Sequence, residues 1–335
     1  MDSLRYYIIR FGLWLYQLIS TNTADAADLF FSYRLLLDRK PDESGWRNYL
    51  KILAPGRSRN TLVNFFLNSA EFKMRMGHSS RYICVETEHC SIWVDAEDRF
   101  IARSIIATKN YEPGVTAVLQ RELASDDIFV DIGANMGWFT LMAAPIVKKV
   151  IAVEPNPNNI QLLYRSLTSN HFNNVEVLPY AVSDESKLLK LNFINSNGSV
   201  ADLAISNDSG VIVQGQPLDK LLQNVDRINV IKMDIEGHEP LAILGMTNTL
   251  QRFRPVLVFE FHPLAIRSNT GTDPAAFLES LANMQYQFYV IQDNGIDKGP
   301  LSVAGILDEW KKANRTSPSE DSVHLNLVGR PFVEL

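Results

Sequence analysis

The densest group of reactive side chains in this 335-residue chain lies in a run of six residues. Asp234-Ile235-Glu236-Gly237-His238-Glu239 offers three carboxylates and an imidazole directly after an apolar run at 228–233. A neutral histidine or a carboxylate accepts the proton of a hydroxyl group as it reacts, so the pattern indicates general-base chemistry. A second apolar run, 254–261, likewise has a glutamate near its end and a histidine directly after it. The candidate catalytic residues are His238, Glu236, His262 and Glu260, and for each histidine a structural role that holds the adjacent loop is the alternative.

The same acids also permit a metal-dependent interpretation. Asp234, Glu236, Glu260 and His262 would offer Mg²⁺ or a similar ion hard oxygen ligands and one imidazole, which suits activation of a sugar diol. Nothing in their spacing requires an ion, so we assign no metal ligand.

A glycine-bounded turn supplies a binding element. The β-branched run 128–132 predicts a buried strand, Gly133 and Gly137 bound a tight turn, and 138–144 has helical composition. A dinucleotide-binding loop would read G-x-G-x-x-G, whereas 131–137 reads D-x-G-x-N-x-G. This form resembles motif I of the class I methyltransferases, which bind S-adenosylmethionine (SAM), and a plain strand-to-helix turn is the alternative. The loop residues expected at the cofactor are Asp131, Gly133, Ala134, Asn135 and Gly137.

Further acids follow the next predicted strands. Residues 149–153 predict a second buried strand, and the acid after it lies about 20 residues beyond the glycine loop, where it can accept both ribose hydroxyls of an adenosine. The run 175–184 predicts a third strand, whose terminal acid can accept the exocyclic amine of adenine. An exposed strand-end acid is the alternative for the former and a turn-forming aspartate for the latter. The cofactor-binding candidates here are Glu154, Asn156, Asp184 and Asp234, of which Asp234 holds either the cofactor or the acceptor.

Composition limits the function classes. With 46% hydrophobic and 21% charged residues, the chain is an ordinary folded protein. The net charge of −6 divides unevenly: residues 1–80 carry 11 Lys/Arg against 7 Asp/Glu, leaving 21 against 31 for the rest. An acidic catalytic domain argues against nucleic acid as a partner. Cys84 and Cys90 lack zinc-site spacing, so we expect a reduced, cytosolic pair.

Three parts follow along the chain: an apolar lead helix at 1–23, a small helical domain at 24–77, and the catalytic domain at 78–335. Within the lead helix, residues 4–19 are apolar and aromatic but interrupted by arginines. Their unbroken stretch, 11–19, is shorter than the ~20 residues of a membrane-spanning helix. A cleaved signal peptide, an interfacial membrane helix, and a helix packed on this protein or on a partner subunit are the interpretations. The sequence does not decide among them.

Periodicity and turn signals place the remaining elements. The segment ahead of the first sheet strand has the position from which a lid over the cofactor cleft can form. Residues 187–217 are predicted to form hairpins at the sheet edge with a turn at 195–199. The predicted helices are 24–37, 45–53, 61–67, 115–123, 158–169, one beginning at Pro240 and 274–281, and the predicted strands beyond those above are 82–85, 91–94, 228–233, 254–261, 288–291 and 323–328.

Together these stretches resemble the FkbM-type methyltransferases over about residues 111–262. The most specific stretch is Ile231-Lys232-Met233-Asp234-Ile235-Glu236-Gly237-His238-Glu239, supported by the glycine loop, the Glu154 loop and 181–184. The resemblance implies an α/β fold with a Rossmann-like, seven-stranded class I methyltransferase sheet containing one antiparallel strand. It also implies SAM as methyl donor and an oxygen nucleophile. Met136 and Trp138 depart from the family's smaller aliphatic residues and are expected to shape the pocket.

The helical domain has its own resemblance. The pattern from Tyr33 to Asp42, followed by Gly45-Trp46 and by 66–72, is similar to a small helical domain of unknown function that accompanies bacterial surface-layer and glycan-modifying proteins. It carries no catalytic cluster, so we expect docking as its role and an all-helical structure.

The resulting prediction is a cytoplasmic SAM-dependent O-methyltransferase that acts on a hydroxyl of a carbohydrate or glycolipid. Contact with a membrane surface or a partner protein through 4–19 would make it membrane-associated. The alternative is a protein that binds SAM without turnover and docks into a glycan-assembly complex.

Overall fold

The computed structural model describes residues 24–37, 39–53, 58–69, 71–72, 81–194, 197–202, 210–316 and 323–332. The chain divides into two compact units, residues 1–80 and 81–335, and each is described by itself. The lead segment 1–23 lies outside the described residues, so its helix and its membrane or partner contact stay predictions. Within the described ranges, none of the helices combines the length and hydrophobicity needed to cross a bilayer.

Three helices form the described part of the first unit: α1 (Ala26–Leu37), α2 (Glu43–Leu53) and α3 (Arg59–Asn68). Leu29 and Tyr33 of α1 lie at helical spacing and are both buried. The Phe66 ring packs edge-on against the Tyr33 ring, with 4.9 Å between their centroids. Ser58 caps the N-terminus of α3, since its hydroxyl accepts a hydrogen bond from the backbone N–H of Thr61 at 3.3 Å. The three predicted helices are confirmed, with small shifts at their ends.

The second unit alternates strands and helices, as predicted. Its helices are α4 (Ile101–Thr108), α5 (Pro113–Glu122), α6 (Trp138–Ala143), α7 (Pro157–Ser169), α8 (Leu218–Leu221), α9 (Glu239–Leu244), α10 (Thr247–Phe253), α11 (Pro263–Thr270), α12 (Pro274–Asn283) and α13 (Val303–Thr316). Its strands are β1 (Tyr82–Glu86), β2 (Ser91–Asp95), β3 (Ile128–Ile132), β4 (Lys149–Val153), β5 (Val175–Leu178), β6 (Ala181–Val182), β7 (Lys187–Ile194), β8 (Asn197–Asp202), β9 (Val211–Gln216), β10 (Val230–Met233), β11 (Val256–Phe261), β12 (Tyr286–Ile291), β13 (Asp297–Leu301) and β14 (Leu325–Pro331).

An eight-stranded sheet lies at the centre of this unit, in the order β13-β12-β14-β11-β10-β3-β4-β5. The strands from β11 to β5 run parallel, whereas β14 is antiparallel to both β11 and β12. The sheet therefore contains the predicted seven strands, one of them antiparallel. It also contains an eighth strand that was not predicted. The chain turns back at Gly295 (φ 74°), and β13 adds an eighth, antiparallel edge strand beside β12.

The central strands are buried on both faces, because parallel strands in such a sheet carry helices above and below. Alternate residues divide between two cores. Phe129 and Val150 pack into one core together with α4 to α7, and Val130 and Ile151 pack into the other with α9 to α12. This double burial explains why the strands read as continuous apolar runs, and it leaves their carboxyl ends as the edge available to ligands.

One predicted strand was wrong in extent. The run 175–184 divides at Pro179-Tyr180 into β5, which ends the central sheet, and the short β6, which pairs with β9 in a separate four-stranded sheet ordered β6-β9-β7-β8. A proline removes a ladder donor and breaks the run there. The predicted hairpins of 187–217 belong to this second sheet, which has its own small core around Leu191 and Val200. In the predicted turn, Asn195 and Ser196 lie outside the described residues.

Candidate active site

A cavity of about 280 Å³ opens where β3, β4, β10 and β11 end. Its volume is close to the lower end of small-molecule sites, about 300–1,000 Å³. Four parts of the second unit form its wall: the loop after β3, the loop after β4, the acidic run after β10, and the ends of β11 and β14. Ile105 of α4 and Glu112 line one side and Val200 of β8 lines another. A lid role for the segment ahead of the first sheet strand stays a prediction.

The loop after β3 is held against two neighbouring strands. Gly133 adopts φ 77°, and a Cβ at this position would overlap the carbonyl oxygen of Asp234. Its N–H and that of Ala134 donate to the Val153 carbonyl at 2.9 and 3.2 Å. The glycine is therefore required both by its backbone conformation and by the close approach of the β10 loop. Gly133, Ala134 and Asn135 line the cavity, and so do Met136 and Trp138.

Glu154 connects the first two strand ends. Its two carboxylate oxygens accept hydrogen bonds from the backbone N–H groups of Asn135 and Asn156, both at 2.8 Å. Burial raises the pKa of Glu154 to about 7. Glu154 and Asn156 both line the cavity. Because each carboxylate oxygen has two lone pairs, Glu154 retains acceptor capacity for a ligand hydroxyl.

Several carboxylates surround one buried lysine. The Lys232 ammonium lies 3.3 Å from the Asp234 carboxylate, and only 4% of the residue is exposed. Burial disfavours the ammonium, but Asp234, Asp131 and Glu112 together raise the pKa of Lys232 above its usual value. Lys232 therefore remains charged and offsets part of the negative charge.

The remaining acids are costly to ionise. Burial, followed by the Asp234 charge, raises the pKa of Glu112 and of Glu236 to about 7 each. Burial likewise raises the pKa of Glu239 to about 8 and that of Glu260 well above its usual value. Such clustering of shifted carboxyl groups in one cleft is typical of catalytic and binding sites.

Three of the seven described non-glycine residues with positive φ lie at the same place. Glu112, Asn135 and Glu236 have φ values of 41°, 52° and 56°, in the left-handed region that disfavours long side chains. All three line the cavity. Each such conformation costs on the order of 1 kcal/mol and persists only where the surroundings impose it.

Three histidines line the cavity, and their hydrogen bonds differ. His238 is 3% exposed, with its Nε2 3.1 Å from the Ser183 hydroxyl. His262 caps α11: its Nδ1 accepts a hydrogen bond from the Ala265 N–H at 3.3 Å. Burial and the neighbouring His324 lower the pKa of His262. His324 precedes β14 and its Nδ1 lies 3.1 Å from Glu260 Oε1.

The cavity brings together most of the residues predicted from the sequence, with three exceptions. Asp131 is buried behind the loop and its carboxylate accepts the Thr140 hydroxyl at 2.6 Å. Gly137 precedes α6 and packs towards Leu163. Asp184 faces Lys187, 2.8 Å from its ammonium, in the turn before β7. The adenine role of Asp184 is therefore corrected to the turn-forming alternative, because β6 carries it away from the central sheet.

Sequence reasoning missed Glu112, Lys232 and His324 as site residues. Lys232 stood inside the quoted FkbM-like stretch and could have been found there, since a lysine in an otherwise apolar strand must be paired. Glu112 and His324 carry no local signal. Within the ranges that the structure describes, no group of three or more His, Cys, Asp or Glu side chains has an arrangement that would hold a metal ion.

Known proteins match both units. A profile of the methyltransferase FkbM domain matches residues 131–288, and a profile of a domain of unknown function (DUF4214) matches 16–76. Hexuronic acid methyltransferase AglP of Haloferax volcanii is 30% identical over 167 residues, which is 49% of this chain and 64% of that protein. Methyltransferase 1 of Beauveria bassiana is 23% identical over 175 residues, covering 45% of this chain and 68% of that protein.

A solved structure of methyltransferase FkbM from Methylobacillus flagellatus KT aligns with a TM-score of 0.40 and 15% identity, covering 89% of this chain and 58% of that one. The strand order, the glycine loop after β3 and the acid after β4 define an α/β class I methyltransferase fold. Within that class, residues 131–288 form a methyltransferase domain of the FkbM type, and a DUF4214 domain lies ahead of it in the sequence.

Proposed function

We propose that the chain is a SAM-dependent O-methyltransferase whose acceptor is a carbohydrate or glycolipid hydroxyl. The observation that carries the proposal is the convergence of the Gly133 loop, Glu154 and the acidic run after β10 on one cavity. A nucleoside site and a group of proton acceptors thereby share a single space. Methyl transfer needs both, since catalysis consists mainly of positioning the nucleophile and accepting its proton.

The cofactor would lie along the β3 and β4 ends. Glu154 would accept the ribose hydroxyls, and the backbone of Gly133, Ala134 and Asn135 would face the methionine part. SAM supplies an electrophilic methyl group on a positively charged sulfur. Asp234 and the surrounding carboxyl groups favour that positive charge, because opposite charges attract strongly in a partly buried site.

The acceptor would occupy the side lined by Glu112, Glu236 and Glu260. Carboxyl groups that are raised in pKa accept and donate hydrogen bonds to sugar hydroxyls. A carbohydrate acceptor is also in keeping with the name of the AglP relative, a hexuronic acid methyltransferase. Glu236, Glu260, His238 and His262, the candidate catalytic residues predicted from the sequence, all line the cavity.

Calorimetric titration with SAM tests the cofactor site, and two strand-end acids give a matched pair of variants. Glu154 lines the cavity and Asp184 does not. We expect one SAM per chain for the wild type and a ~10- to 100-fold weaker Kd for Glu154→Gln, because hydrogen bonds to a charged group contribute about 1.5–3 kcal/mol. Asp184→Asn should bind within about twofold of wild type.

Transfer of labelled methyl groups to a panel of nucleotide-activated sugars and glycolipids then tests turnover. Methylation of a hydroxyl in at least one of them is the expected result. Absence of SAM binding by the wild type would refute the proposed function, and binding without transfer to any acceptor would favour the docking alternative.

A further inference from the structure

We propose that His324 is the general base of the methyl transfer and that Glu260 is its positioning residue. The inference rests on the proposed function and adds to it a catalytic residue from outside the β10 and β11 motifs. Four features carry it: the strand register, the hydrogen bond between the two side chains, the exposure of each, and the bonding of the other histidines.

Strand register brings the two side chains together. In the antiparallel pair of β11 and β14, Glu260 lies opposite Asn326 and Phe261 opposite Leu325. His324 directly precedes β14 and is two residues before Asn326, which places its side chain on the same face as Glu260 as a diagonal neighbour. The His324 Nδ1 to Glu260 Oε1 distance of 3.1 Å follows from this placement. Both residues line the cavity.

The hydrogen bond orients the imidazole. When Glu260 is ionised it accepts Nδ1–H of neutral His324, and Nε2 then keeps its lone pair, which is the tautomer that a base requires. A buried carboxylate also stabilises the imidazolium that forms when Nε2 takes a proton, as in a Ser-His-Asp triad. Glu260 suits this role because its side chain is 10% exposed and therefore fixed in place.

Glu260 can accept a further hydrogen bond besides the one from His324. Among the described residues, its Oε2 is buried without a hydrogen-bond partner. An orphaned buried carboxylate oxygen is costly unless a ligand or solvent donor completes it. Because Glu260 lines the cavity, we assign this donor to a hydroxyl of the bound acceptor, held beside the His324 imidazole.

The other two histidines fit the base role less well. Nδ1 of His262 accepts the Ala265 N–H, so neutral His262 carries its proton on Nε2 and acts as a donor. His238 is almost completely buried and its Nε2 is next to the Ser183 hydroxyl. The His324 side chain is 41% exposed, which lets it return its proton to solvent after each turnover.

The step balances as a displacement. The acceptor O–H bond breaks as its proton passes to His324 Nε2, the oxygen forms a bond to the methyl carbon, and the C–S bond breaks with its electron pair left on sulfur. The products are a methyl ether, a neutral thioether and an imidazolium. The titratable groups that interact electrostatically with the pair are His262, Asp234, Glu236, Glu239, Glu112 and Tyr111.

Nuclear magnetic resonance of imidazole nitrogens tests the orientation without any acceptor. In the protein without ligand at pH 8, we expect neutral His324 to carry its proton on Nδ1. In Glu260→Gln the Nδ1 resonance should shift, because the carboxylate that accepts its proton is lost. Finding the proton on Nε2 in the wild type would overturn the proposal.

Kinetics with an acceptor found in the panel give the second arm. His324→Gln should lower kcat about 10²- to 10⁴-fold with the Kd for SAM within about twofold of wild type. Glu260→Gln should lower kcat less, again with the Kd for SAM within about twofold of wild type. His171→Asn, at an exposed position away from the cavity, is the control and should match wild type.

A His324→Gln variant within threefold of wild-type kcat, while Glu236→Gln or His262→Gln loses activity, would also overturn the proposal. Failure of the wild type to bind SAM would count against the proposed function alone. The tautomer measurement then still decides whether Glu260 orients His324.

Discussion

At the scale of single residues, the site is defined by groups that the folded chain holds in unfavourable states. Glu236 combines a left-handed backbone with a pKa raised to about 7, first by burial and then by Asp234. Gly133 occupies a position that no side chain fits. Such features are retained where function needs them, since each costs stability.

Gly133 permits a substitution with a closely matched control. Gly133 and Gly271 both have positive φ, 77° and 69°, but only at Gly133 would a Cβ meet the Asp234 carbonyl, whereas Gly271 has open space. We expect Gly271→Ala to cost about 1 kcal/mol and to leave SAM binding unchanged. Gly133→Ala should cost clearly more and abolish SAM binding. Denaturant unfolding and calorimetry measure both quantities, and equal effects of the two variants would contradict the close-approach argument.

The charge of Glu236 makes a pH-dependent contribution to stability. Its folded-state pKa of about 7 exceeds the unfolded value of 4.5, so its favourable contribution is complete below pH 4.5 and is lost as pH rises through 7. Glu236→Gln should therefore gain stability over wild type progressively from pH 4.5 to 8, by about 1–2 kcal/mol, since one pKa unit corresponds to about 1.4 kcal/mol and partial exposure screens part of it.

Urea unfolding at several pH values measures this difference. Glu279→Gln is the control, because Glu279 is exposed and should show no comparable trend. A free-energy difference between Glu236→Gln and wild type that stays constant with pH would show that Glu236 ionises freely in the folded protein.

At the scale of elements, apolar runs were sufficient to predict the parallel strands and the acids that follow them. Because β3, β4, β10 and β11 are buried on both faces, each appears in the sequence as an uninterrupted apolar segment. The same signal could not place His324, because its proximity to Glu260 depends on the antiparallel register between β11 and β14. It also could not divide 175–184 between two sheets, since the division depends on β6 pairing with β9, far along the chain.

The second sheet contributes a side chain to the cavity, and this contribution can be tested. Val200 of β8 lines the cavity, and Ile212 of β9 is 62% exposed. We expect Val200→Ala to weaken SAM or acceptor binding about five- to tenfold, because buried apolar groups contribute about 0.8 kcal/mol per CH₂. Ile212→Ala should leave both affinities unchanged. If calorimetry gives the same affinities for Val200→Ala and wild type, the hairpin does not contact either ligand.

At the scale of the whole molecule, negative charge is concentrated where the chemistry is proposed. Residues 81–335 carry 21 Lys/Arg against 31 Asp/Glu, by subtraction of the 1–80 counts from the full sequence. Four acids near the cavity have pKa values raised to about 7 or 8: Glu112, Glu154, Glu236 and Glu239. At neutral pH the empty site therefore holds protons that an incoming cation can displace.

This arrangement predicts proton release on cofactor binding. A sulfonium beside the carboxyl groups favours their ionised forms and lowers their pKa values, so SAM binding at pH 7 should release protons to the buffer. S-adenosylhomocysteine carries a neutral thioether in place of the sulfonium and should release fewer. Calorimetry in phosphate and in Tris measures the number of protons that each ligand releases. The observed binding enthalpy differs between the buffers by the difference in their ionisation enthalpies multiplied by that number. Glu236→Gln should reduce the release with SAM, since it removes one of the displaced protons. Equal proton release by the two ligands would mean that the sulfonium lies away from the acidic run after β10, and the acceptor would then have to be placed on a different side of the cavity.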